Sequence, residues 1–398
     1  MIRKILSYLG IQAFGWYELM FAMYLILAGY HIGSISMSAL MLIIMAGIAI
    51  IRGTRVVFKP KIIGFVFAYV VIHDVILWFI LPSHPSYVIS NIIVNIITAF
   101  ALYIIFSALD YRKTMSMIYL VTIATLIGLY YHVALIRAGM MVQPIRLPFM
   151  PEMPVSSRAF EEGFRPKSFF WEPAACVTFL MVPFFISILQ KRWIWVIILM
   201  FSMFISTSTN GIVLSSVILG VYFILGKGKL RYKFLAAIVM AGMLYLFFNT
   251  NTFEFGREKM LNTETEGNAR LSNGPVLISR TDPTSLVFGV PSANAFDYVK
   301  DNNISTKGLH IDDESMFVPT FWSLLLNYGI IGLFLYFAIF WTLVKKDKRL
   351  IPYVVGLIVA SFVQSIQFGA NFVFQTICML LIIKNKNVIK NKNVIKKQ

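Results

Sequence analysis

The sequence predicts an all-α polytopic membrane protein of about twelve transmembrane helices with two long extracytoplasmic loops. Three observations predict it. Hydrophobic residues make up 58% of the 398 residues and charged ones only 13%, with a mean hydropathy of +0.77, whereas soluble domains carry about 25% charged residues. Apolar runs of about 17–25 residues, each able to cross ~30 Å of hydrocarbon, recur along the whole chain. Lysines and arginines fall between these runs and gather in alternate loops, the pattern of cytoplasmic loops. The runs are continuous rather than alternating at period two, which excludes a β-barrel.

In order, the spans are predicted at roughly 13–30, 35–51, 62–81, 88–109, 115–136, 172–189, 193–209, 211–226, 234–248, 328–344, 350–369 and 371–383. Met1 to Tyr30 opens on Arg3 and Lys4 but has no small-residue cleavage site, and another span follows at once. It reads as a retained first helix rather than a signal peptide. Most of the 35 basic residues lie in alternate links: Arg52 to Lys61, Arg112-Lys113, Lys191-Arg192, Lys227 to Lys233, Lys345 to Arg349 and the tail from Lys384. Both termini are therefore expected in the cytoplasm and both long loops outside it. The whole of 1–383 reads as one integral membrane domain, with a first outer loop over 137–171 and a second over 249–327.

The second loop is polar and loop-like from Asn249 to Glu314. Its end, Met316 to Asn327, is apolar and reads as an amphipathic helix on the outer membrane face, ending near Gly329. The tail over 384–398 repeats Lys-Asn-Lys-Asn-Val-Ile in tandem and is expected to be a disordered basic segment beside anionic lipid. The net charge of +17 is spread between apolar runs instead of forming one patch, so it reports topology and not nucleic-acid binding. Cys176 and Cys378 both fall inside spans, and no Cys/His spacing points to a metal or cofactor site.

Candidate chemistry sits in the loops. Arg137, Arg146, Arg158, Arg165 and Lys167 share the first; Arg257, Arg270 and Arg280 share the second. A guanidinium grips phosphate through two parallel hydrogen bonds, so such a set beside the outer leaflet suits a lipid-linked diphosphate; pairing with Glu161, Glu162, Glu264 or Glu266 is the plain alternative. Glu172-Pro173 opens a span and reads either as ordinary capping or as a carboxylate held at the membrane surface. His310 with Asp312, Asp313 and Glu314 supplies groups for a general base, or else a solvated acidic turn. His73-Asp74 lies inside a span, where an ionisable pair marks either structural pairing or a proton path. Ser206 to Gly211 reads as a tight turn that lets helices approach.

Several of these stretches fall in a known order. Arg165-Pro166-Lys167-Ser168-Phe169-Phe170-Trp171-Glu172-Pro173, the turn from Ser206 to Gly211, Asn268-Ala269-Arg270, Leu286 to Val290, His310 and Asn327-Tyr328-Gly329-Ile330-Ile331-Gly332-Leu333 together resemble the O-antigen and capsular polysaccharide repeat-unit polymerases of the Wzy type. The chain departs from that pattern at Thr209-Asn210, where an arginine is common, and in the acidic residues after His310. The resemblance implies a glycosyltransferase C-like helical fold and transfer of a growing glycan from its polyprenyl diphosphate carrier to the non-reducing end of another lipid-linked repeat unit. It implies Arg165, Arg270 and Arg280 as ligands of the leaving diphosphate, and His310, Asp312, Asp313 or Glu172 as the group that activates the acceptor hydroxyl. The implied partners are polyprenyl-diphosphate-linked oligosaccharide, membrane lipid and a polysaccharide chain-length regulator. The location is the bacterial cytoplasmic (inner) membrane, and no cofactor, metal or nucleic acid is called for. An O-antigen ligase, and a transporter of lipid-linked sugar or polysaccharide, are the competing readings.

Overall fold

The computed structural model describes residues 9–32, 35–80, 85–151, 153, 163–206, 208–225, 269–290, 295–311 and 316–395, with isolated positions between 234 and 249. The regular structure of the described chain is helical apart from a two-residue antiparallel ladder, His31–Ile32 (β1) against Ile35–Ser36 (β2). The helices are α1 (Trp16–Met23), α2 (Met37–Ile51), α3 (Lys61–Ile80), α4 (Pro85–Ala108), α5 (Tyr111–Arg137), α6 (Pro173–Leu189), α7 (Trp193–Ile205) and α8 (Thr209–Leu225). They continue as α9 (Ala269–Arg280), α10 (Pro283–Phe288), α11 (Ala295–Asp301), α12 (Thr320–Lys346), α13 (Ile351–Ser361) and α14 (Ala370–Ile395). Four stretches, Lys61–Ile80, Val88–Ala108, Tyr111–Arg137 and Thr320–Lys346, are long and apolar enough to cross a membrane; α2, α6, α7 and α8 are apolar but shorter. The span expected over 234–248 falls largely outside the described residues.

Local chemistry accounts for the helix starts. The Ser36 hydroxyl accepts the Ala39 N–H, the Asp110 carboxylate accepts that of Lys113, and Asp282 accepts those of Thr284 and Ser285. Each satisfies amides that the first helical turn leaves without partners. One continuous apolar cluster joins α1 to α8 with α12, α13 and α14. The last helix is central to it: α14 packs against α4, α5, α6 and α12, and the ring of Phe374 lies 5.2 Å from Phe21 and 5.8 Å from Phe179.

Several elements differ from the sequence expectation. The first span breaks after Met23 into a 3-10 turn over Ile26–Gly29. The stretch expected as helix through 369 ends at Ser361, because the polar residues that follow find partners off the helix. The Thr320 N–H donates to the Gln364 carbonyl at 2.9 Å, and the Ile366 N–H donates to the Thr320 hydroxyl at 2.6 Å. The tail does not begin as a disordered segment, since α14 runs on through the tandem repeat to Ile395. A helix already nucleated in a packed core adds one backbone hydrogen bond per residue at little cost. Asp347, almost fully buried, fastens its base by accepting from Arg349 at 2.7 Å and Lys386 at 3.2 Å.

The second long loop is not loop-like where it is described. It folds into α9, α10 and α11 around a core of its own, in which Leu277, Val290, Val299 and Leu326 are buried. The segment Met316 to Asn327 supplies part of that core; from Thr320 it forms the first part of α12, which kinks at Gly329 (φ 63°, ψ −172°), where the sequence reading ended this helix.

Candidate functional site

Two loop segments flank the N-terminal end of α6. Residues 138–151 and 163–172 are tied together by Val142 N–H to the Gly163 carbonyl (2.7 Å) and Ile145 N–H to that of Ser168 (2.8 Å). The segment leading into α6 is sunk into the protein: Arg165, Lys167 and Ser168 are all buried. His132 of α5 receives it, its Nδ1 accepting the N–H groups of Lys167 (3.4 Å) and Ser168 (3.3 Å). Gly128, one turn earlier, leaves room for Ser168, whose Oγ would stand 2.4 Å from any added Cβ. Burying two cations is costly unless they are matched, and Arg165 and Lys167 each have an interaction partner within the protein.

Glu172 ends the segment at the N-cap of α6, with Pro173 in the first turn, yet its side chain makes no capping hydrogen bond. The ordinary helix-start arrangement, a carboxylate at the N-cap followed by proline, is thus present without the side-chain hydrogen bond. Glu172 also lines a cavity of about 200 Å³ with Trp171, Thr178, Phe317, Gln364 and Asn371. A second cavity of about 180 Å³ shares Phe317 and Ser365 with the first and reaches Ser323 and Asn327.

The second loop reaches the same place through Asn273. This fully buried side chain accepts the His310 N–H at 2.8 Å and donates to the carbonyls of His310 (2.9 Å) and Phe317 (3.1 Å). It thus fixes both the backbone of His310 and the cavity wall. Arg270 lies in the same helix, three positions before Asn273, so the backbone places it one turn, about 4.5 Å, further along the axis. Its side chain, and Asp312, Asp313 and Glu314 whole, lie outside the described residues. Arg280 sits at the far end of α9, with its guanidinium donating to the backbone carbonyls of Ser305 and, at 2.6 Å, Lys307. Its fork is occupied in clamping a turn. Arg146 is similarly engaged by the Met150 carbonyl at 2.6 and 2.8 Å.

A third contact anchors the loop domain to the helices. His73 of α3 donates Nε2–H to the Phe288 carbonyl at 2.6 Å, while its Nδ1 lies 3.6 Å from the fully buried Asp74. One turn earlier the Tyr69 hydroxyl donates to the Tyr328 carbonyl at 3.2 Å. Of the two readings of His73-Asp74, structural pairing is the one with visible partners. The Ser206–Gly211 turn also serves packing: a Cβ on Gly211 would sit 2.2 Å from the Met203 carbonyl oxygen.

Comparison of the chain with family models, with curated proteins and with solved structures finds no match. The site therefore rests on its own geometry. That geometry brings Glu172 and the His310 backbone to one region through Phe317 and Asn273 and leaves Arg280 apart. Among the described residues no group of three His, Cys, Asp or Glu side chains could hold a metal ion. Asn273 and Gln364 were missed by the sequence reading. The cluster Ser361, Gln364, Ser365 and Gln367 inside an expected span was the signal that could have found the second of these.

Proposed function

We propose that this chain is a polysaccharide repeat-unit polymerase of the bacterial cytoplasmic membrane, with about twelve spans, a glycosyltransferase C-like arrangement, both termini in the cytoplasm and its loop domain outside. It transfers a glycan from polyprenyl diphosphate to a sugar hydroxyl of a second lipid-linked unit. The observation that carries this reading is the Arg165–Glu172 segment. It holds two buried cations and ends in a carboxylate that makes no capping hydrogen bond and lines a cavity against the folded loop.

In the proposed reaction the acceptor hydroxyl oxygen attacks the anomeric carbon and its proton passes to the Glu172 carboxylate. The bond from that carbon to the diphosphate oxygen breaks, and the electron pair leaves with the diphosphate. Arg165 and Arg270 stabilise the charge that develops there; a general base held by a rigid helix start contributes about 10²–10⁴-fold. His310, whose backbone Asn273 ties to the Phe317 wall, is the other candidate for the proton. Arg280 enters as a clamp on the loop rather than a phosphate ligand.

The test is made in the host. The gene is deleted, and surface polysaccharide is run on a gel beside strains complemented with wild type, Arg270→Ala and Glu172→Gln. Loss of long chains with single repeat units remaining, rescued by wild type alone, supports the proposal. Unchanged chain length on deletion defeats it, and full rescue by Arg270→Ala removes that arginine from the mechanism.

A further inference from the structure

The two adjoining cavities carry matched, incomplete chemistry. In the first, Gln364 is buried, its Oε1 accepts from the Thr178 hydroxyl at 2.8 Å, and its Nε2 has no protein partner. Turning the amide over would only exchange which end is unmatched, and that last torsion is soft. In the second, the Asn327 Oδ1 is likewise without a partner. Buried amide ends are almost always satisfied in folded proteins, so each exception calls for a group that completes it. Each cavity thus has one unmatched amide end, and a hydroxyl, able to donate and to accept, completes either kind.

Size and walls narrow the ligand. Cavities of about 200 and 180 Å³ fall below the ~300–1,000 Å³ of drug-sized sites, so each suits a single ring. Trp171, half-exposed beside Glu172, offers a flat apolar face, and Phe317 stands between the two cavities as a shared wall. Polar groups around an aromatic face match a pyranose, which has apolar C–H faces and a rim of hydroxyls.

We propose that these cavities are neighbouring sugar subsites holding two consecutive residues of the acceptor glycan, with the ring nearest Glu172 presenting the reacting hydroxyl. The identity of the ligand rests on the glycan-transfer reading, whereas the presence of two ring-sized subsites does not. Gln364 and Asn327 recognise hydroxyls, and Trp171 stacks on the first ring.

The probe is the oligosaccharide released by mild acid from the host's lipid-linked repeat units, titrated against the full-length protein in lipid nanodiscs. Wild type is expected to bind it, with at least tenfold weaker binding in Gln364→Leu and in Trp171→Ala. Asn327→Leu weakens binding of the intact oligosaccharide but not of its terminal monosaccharide. Thermal melting of each variant reports folding. If Gln364→Leu fails to fold, the half-exposed Trp171 decides the matter alone. Binding to Trp171→Ala equal to wild type, or no binding to wild type, overturns the subsites. If gene deletion leaves polymer length unchanged while the variants lose the probe, the polymerase reading falls and the subsites stand. Loss of polymer with unaltered probe binding has the opposite meaning.

Discussion

Gly289 and Gly329 meet backbone to backbone: a Cβ on Gly329 would lie 2.1 Å from the Val287 carbonyl oxygen, and one on Gly289 2.5 Å from that of Asn327. Both have positive φ, at 85° and 63°. The Val290 N–H donates across the same junction to the Leu326 carbonyl at 2.9 Å. Two motifs separated in sequence thus form one joint between the loop domain and α12. The carbonyls preceding the two glycines, those of Phe288 and Tyr328, are taken up by His73 and Tyr69 of α3.

Gly329→Ala tests the joint. An added methyl meets backbone that cannot step aside, and alanine at positive φ is disfavoured as well, so the cost exceeds about 1 kcal/mol. A lower melting temperature and shorter surface polysaccharide are expected. A melting temperature equal to wild type would show that the joint is loose.

His73 separates an anchoring role from a proton path. His73→Gln keeps an N–H that can reach the Phe288 carbonyl, whereas His73→Phe loses this hydrogen bond, at roughly 0.5–1.5 kcal/mol. Anchoring predicts melting temperatures in the order wild type, Gln, Phe. Asp74→Asn is expected to retain most polymer formation; complete loss of function with normal folding would favour a transporter.

Asn273→Ala removes three hydrogen bonds at a fully buried site. Each unpaired buried group costs about 1–3 kcal/mol, and the His310 backbone loses its anchor. Limited proteolysis is expected to cut the loop domain faster in this variant while α5 and α6 stay protected. Equal cutting rates would argue against the anchor.

Asp347 gives a pH signature. Burial raises its carboxyl, but hydrogen bonds from Arg349, and next from Lys386, outweigh burial and hold it below its ordinary value. A depressed folded-state value adds stability above the unfolded value, about pH 4, and that stability fades as pH falls further through the folded value. Asp347→Asn should therefore melt below wild type at neutral pH, and the gap should shrink below about pH 4. A gap independent of pH would assign the loss to packing.

Much of this was legible from composition and order alone. Apolar runs long enough to span a membrane pointed to helices, because hydrocarbon leaves a backbone no partners but its own, and among the described residues four helices are long and apolar enough to cross one. The run Arg165 to Pro173 marked the segment where a carboxylate meets a helix start. What linear order could not carry were contacts between distant positions. Only the folded chain pairs Gly289 with Gly329, sets Asn273 under His310, turns Arg280 onto carbonyls of its own loop, and brings Gln364 beside Glu172 around one cavity. It also decides that the helix carrying Phe374 continues past Lys384, where Asp347 holds Lys386. Hydropathy and charge are properties of single residues summed along the chain. Which polar groups are satisfied, and which are left for a ligand, depends on partners that tertiary packing alone supplies.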